Sequence, residues 1–138
     1  MVLRQEVINI IKQSKTIAVV GMSTNPEKDA HQVPKYLKEV GYKIIPVNPN
    51  ADEILGEKSY ASLEEIPVKV DIVDIFRPSD ETPSIVESAV KLNPQLIWLQ
   101  LRISHKQSKR IAEDHGIPIV MDKCMMIEHK KIKARSQA

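Results

Sequence analysis

The chain has 138 residues, 42% of them hydrophobic, and a formal net charge of +2. That suffices for one domain around one core, and it lacks the strongly basic character that marks many nucleic-acid binders. One cysteine excludes an intrachain disulfide framework and fits a reducing compartment, and no apolar run reaches the roughly 18 residues of a membrane-spanning helix.

Arg4, Glu6 and Lys12 interrupt the N-terminal segment, so it does not read as a signal peptide, and a cytoplasmic location is expected. Residues 2–12 read as a helix, because Val7, Ile8 and Ile11 recur at helical spacing with Leu3 a turn earlier. A first strand follows at 16–20. After a loop from Gly21 to about Ala30, residues 31–40 form a helix with Val33, Leu37 and Val40 inward. Pro34 is tolerated only near a helix start, which sets that start close to His31 or Gln32, and Gly41 ends the helix. The second strand, 42–47, runs into Asn48-Pro49-Asn50.

Ser62-Leu63-Glu64-Glu65 has a capping-box pattern for a short helix closed by Pro67. A third strand spans 70–76, a helix 83–92 turns Val86, Ala89 and Val90 inward, and a nearly all-apolar fourth strand spans 96–101, as a strand covered on both faces should. Ser104 is expected to cap a helix ending at Gly116, and a fifth strand, 117–121, leads to Cys124. Residues 130–138 read as a charged, solvated tail of a single domain spanning 1–138. Strands alternating with helices imply an α/β fold with a five-stranded parallel sheet, whose binding site lies at the carboxyl ends of the strands.

The residues just after each strand are therefore the candidates. Gly21 turning into a helix N-terminus presents backbone N–H groups and a positive dipole end to a phosphate. Met22, Ser23, Thr24 and Asn25 extend that loop, Lys28 adds a charge, and His31 stands at the helix start. The loop matches neither a Walker pattern nor GxGxxG, and an ordinary strand–helix connection would look similar. An NAD domain places an acid after its second strand to hold ribose hydroxyls; here Asn48, Pro49 and Asn50 stand there. Phe76, Arg77 and Pro78 end the third strand, offering a ring and a guanidinium to a base or a phosphate. Trp98 reads as core, and Gln100, polar near the end of an apolar strand, reads as functional. Cys124 and His129 are too few for a metal centre, and no catalytic residue is assigned.

Read in order, Ile17–Pro26, Gly41–Pro49, Ile54–Lys58, Val70–Pro78, Trp98–Leu101 and Val120–Cys124 resemble the small stand-alone CoA-binding proteins related to succinyl-CoA synthetase alpha subunits. The resemblance covers roughly residues 16–129. It implies a Rossmann-like, doubly wound sheet and coenzyme A or an acyl-CoA as ligand. In the related synthetases a phosphorylated histidine lies in a further domain, so no ligase activity is expected of this chain alone. Such proteins usually carry Gly where this chain has Arg102, a cation that could reshape the turn or add a phosphate contact.

The expectation is thus a coenzyme A-binding protein with a small-molecule partner, neither nucleic acid nor membrane, and with homo-oligomer or partner protein left open. The alternatives are an NAD(P)-binding or redox-sensing domain and an interaction module with a vestigial cleft. With the common strand order 3-2-1-4-5, strand five would lie two spacings from strand one, about 10 Å, within reach of the pantetheine arm. Cys124 could then meet the coenzyme thiol.

Overall fold

The computed structural model describes residues 3–137; Val2, the start of the expected first helix, and Ala138 lie outside them. Helix α1 spans Gln5–Gln13, followed by β1 Thr16–Val20, α2 Asp29–Glu39 and β2 Lys43–Val47. A two-stranded hairpin comes next, β3 Glu53–Ile54 and β4 Glu57–Lys58. Then come β5 Ile72–Ile75, α3 Thr82–Val90, β6 Leu96–Leu99, α4 Lys106–Asp114, β7 Ile119–Val120 and α5 Met125–Gln137.

The main sheet is wholly parallel, in the order β2-β1-β5-β6-β7. Counting only its own strands, that is 2-1-3-4-5, a doubly wound Rossmann-like arrangement, but not the expected 3-2-1-4-5. Strand five therefore lies three spacings from strand one, about 14 Å rather than 10 Å. The chain goes outward from β1 to β2, then returns to place β5 on β1's other side. The switch point is between β1 and β5, where such sheets open a crevice.

Alternation along each strand divides the core. Ile17, Val19, Ile44, Ile72 and Trp98 pack against α1, α2 and α5. Ala18, Val20, Ile45, Val73 and Ile97 meet α3 and α4 on the opposite face. Both faces are covered, which is why these strands read as continuous apolar runs. Edge strand β2 holds Pro46, whose missing N–H is harmless at a sheet margin. The Pro46 carbonyl accepts the Tyr60 N–H at 3.0 Å, so residues around Tyr60 shield part of that edge.

Four local expectations change. Helix α2 begins at Asp29, two residues early, with Pro34 inside it. The cap of α4 is His105, not Ser104: its Nδ1 accepts the Gln107 N–H at 3.1 Å. The C-terminal segment is not a frayed tail within the described residues. It forms α5, whose Ile132 is buried against the core. Ser62–Glu65 closes only one tight turn, Leu63–Glu65. No described helix is long and apolar enough to cross a membrane.

Candidate functional site

Register builds the site. Val20 pairs with Val47 on one side and Ile75 on the other, and Ile75 pairs with Leu99. The next residue of each strand, Gly21, Asn48, Phe76 and Gln100, therefore falls on one row along the carboxyl edge. A cavity of about 680 Å³ opens over Gly21, Asn48 and Phe76 of this row.

Of the expected residues, Gly21, Met22 and Ser23 of the first loop line it, with Lys28. Asn48, Pro49 and Asn50 form a second wall, and Phe76 and Arg77 a third. A second cavity of about 410 Å³ has Gln100 and Cys124 in its wall. Lys28, Ala30 and Phe76 line both, so the two adjoin. Thr24, Asn25, His31 and Pro78 line neither, nor does Arg102.

The first loop is held from within. Gly21 has φ +82, and a Cβ there would stand 2.6 Å from the Phe76 carbonyl oxygen. Only glycine lets the loop pass so close to the neighbouring strand end. The Ser23 and Asn25 side-chain oxygens accept the N–H groups of Asn25 and Glu27, each at 3.0 Å. These turn bonds fix the shape of the loop. Buried His31 donates through Nδ1 to the Ser23 carbonyl at 2.7 Å, so it clamps the loop.

Pro34 explains a further tie. It has no N–H for the Ala30 carbonyl one turn back. That carbonyl instead accepts the Ser23 N–H at 3.1 Å, fastening the loop to α2. The amides that open α2, at Asp29 and Ala30, have no intrahelical partner and form the positive end of its dipole.

Asn48 is likewise a clamp. Its Nδ2 donates to the Met22 carbonyl at 2.9 Å, and its Oδ1 accepts the Asn50 N–H at 2.8 Å. Arg77 meets Glu81 in a two-point pair, Nε to Oε1 and Nη2 to Oε2, each 3.0 Å. Glu81 also lines the cavity, so Arg77's charge is partly countered. Lys28 has no such acidic partner among the described residues and is the more available cation. At the far end, Trp98 Nε1 donates to the Lys123 carbonyl at 2.7 Å. Gln100 Oε1 accepts the Met125 N–H at 3.2 Å. These two bonds anchor the start of α5 and keep Cys124 at the wall of the second cavity.

Ala61, Glu81 and Ile85 of the first cavity were not legible in the sequence, nor were Leu101, Ile103, Met126 and Ile127 of the second. The four-residue spacing of Arg77 and Glu81 is the one local signal among them.

Residues 15–130 match the family described as CoA binding domain. YneT of Bacillus subtilis (strain 168) is 36% identical over 130 residues, covering 94% of this chain and 96% of that protein. The ADP-forming acetate–CoA ligase of Methanocaldococcus jannaschii is 32% identical over 133 residues, but this chain spans only 19% of it. A solved structure from Pyrococcus horikoshii OT3 superposes with TM-score 0.91 at 40% identity, covering 95% of this chain and 93% of that one. The chain belongs to the CoA binding domain family.

Proposed function

We propose that this member of the CoA binding domain family binds coenzyme A, and does so as a binding protein without a catalytic centre of its own. The observation that carries the reading is the pair of adjoining cavities at the switch point, joined at Lys28, Ala30 and Phe76. Coenzyme A has the matching division: a polar nucleotide, a diphosphate and a long arm ending in a thiol. In this reading the diphosphate lies at the junction, against the N-terminus of α2 and the Lys28 ammonium. The adenosine end occupies the larger cavity, between the Asn48–Asn50 turn and Arg77. The arm runs into the second cavity, toward Cys124.

The close of β2 supports coenzyme A over a dinucleotide. Where an NAD domain offers a carboxylate to ribose, Asn48 is committed to Met22 and Asn50. Calorimetric titration of the purified chain with coenzyme A, NAD and NADP tests the reading. Coenzyme A is expected to bind and both dinucleotides to be silent. Binding of NAD with coenzyme A silent overturns it.

A further inference from the structure

The second cavity differs in chemistry from the first. Besides the junction residues and Cys124, its walls are Val33, Leu101, Ile103, Met126 and Ile127, with Asp29 and Gln100 as further polar members. Among the described residues, the large hydrophobics left exposed are Val68, Leu101 and Ile127, the latter two at 51% and 45%. Two of the three therefore stand on one cavity, from two elements far apart in sequence: the turn after β6 and the first turn of α5. Both turns are fixed, by Asp122 Oδ1 accepting the Arg102 N–H at 2.6 Å and by Gln100 holding Met125. Rigid apolar walls left open to water are a standing opportunity for burial.

We infer that this cavity houses the acyl chain of an acyl-CoA, so that the ligand is a thioester with an aliphatic acyl group rather than free coenzyme A. The inference rests on the coenzyme reading above and assigns the far end of that same site. An acyl chain leaving the thiol end of the arm meets Ile103 and Met126 first, then the open rim of Leu101 and Ile127. A free thiol leaves these side chains facing water. Each methylene buried there adds affinity in proportion to the apolar area it removes from water.

Titration with coenzyme A and with its acetyl, butanoyl, hexanoyl and octanoyl thioesters tests this. Affinity is expected to climb about two- to fourfold per added methylene until the rim is passed. In Leu101→Gln and Ile127→Gln, both exposed and outside the packed core, the ratio of octanoyl-CoA to coenzyme A affinity is expected to fall by about tenfold or more. Coenzyme A binding with the same affinity as every thioester overturns the acyl assignment and leaves the coenzyme reading standing. Silence of coenzyme A and all thioesters overturns both. A flat series, together with dimers in sedimentation that Ile127→Gln dissociates, also overturns the assignment and gives the rim to self-association.

Discussion

The backbone of Gly21 passes the carbonyl of Phe76 so closely that a Cβ on Gly21 would stand 2.6 Å from the oxygen and 2.8 Å from Arg77 Cδ. This contact seals the switch point: the loop after β1 rests on the end of β5, and the larger cavity opens above both. Gly21→Ala adds two costs, a left-handed residue with a side chain and an overlap with backbone that cannot swing aside. The variant is expected to lose about 2–4 kcal/mol of stability in urea titration. It should also lose coenzyme A binding under conditions where it remains folded, because the loop must move off the strand end. Full stability with unaltered binding would show that the contact is relaxed in solution.

Charge in the larger cavity is divided unevenly. Arg77 is engaged by Glu81, with both side chains nearly half exposed, whereas Lys28 lines both cavities without an acidic partner among the described residues. Lys28→Ala is expected to weaken coenzyme A by about 1–3 kcal/mol, the size of a hydrogen bond to a charged group. Glu81→Gln removes a carboxylate from the cavity and releases Arg77, so it should tighten binding, and more so at low salt. Calorimetry at two ionic strengths reads both. Were Lys28→Ala silent while Arg77→Ala weakened binding, the phosphates would belong to Arg77.

Unlike the short β3–β4 hairpin, polar and partly exposed, the strands of the main sheet were legible. They are largely buried on both faces and so read as apolar runs, with Gly21 and Asn48 marking the ends of two of them. The same continuity hid the strand order. A strand such as Leu96–Leu99 is equally apolar wherever it lies among the central positions, so periodicity does not name its neighbours. Helix α5 was hidden because its polar residues outnumber its apolar ones, and its start is anchored by Trp98 and Gln100 from a distant strand. Ser23, Asn25 and Asn48 are polar residues after a strand end, and His31 stands in the first turn of the next helix, which is how ligand contacts look in a sequence. In the fold each also bonds backbone of the surrounding loop, a structural role that only three-dimensional placement reveals. The second cavity was illegible for the opposite reason, since Leu101, Ile103 and Ile127 look like ordinary core residues until topology leaves them at a rim.

Arg102 is one of four described non-glycine residues with positive φ, at +69. Its side chain reaches neither cavity wall, and what the turn uses is its backbone N–H, given to Asp122. Left-handed geometry costs a residue with a Cβ about 1–2 kcal/mol, offset in part by the greater entropy glycine loses on folding. Arg102→Gly keeps the N–H and relieves the strain. It is expected to raise stability by about 0.5–1 kcal/mol, seen as a higher urea midpoint, with coenzyme A affinity unchanged. A fall in affinity would place the guanidinium on the ligand after all.

Asp74 lies mid-strand in β5, paired in register with Val19 and Trp98, fully buried, and neither carboxylate oxygen makes a well-formed hydrogen bond, the nearby Ile75 N–H being only a weak contact. Desolvation is the main cause that holds its carboxyl well above the ordinary range, against a smaller lowering by the Ile75 N–H. The folded chain therefore keeps a proton that the unfolded chain releases above about pH 4. Where the native state binds the extra proton, stability falls as pH rises. Asp74's contribution is accordingly intact below the unfolded pKa and is lost progressively as pH climbs toward the folded value. Asp74→Asn has nearly the same shape and no proton to lose. The difference in urea midpoint, variant minus wild type, is expected to grow steadily from about pH 4 toward neutrality, and other titrating groups cancel in that difference. A difference independent of pH would mean that Asp74 ionises in the fold as readily as in the unfolded chain, which demands a partner for its carboxylate.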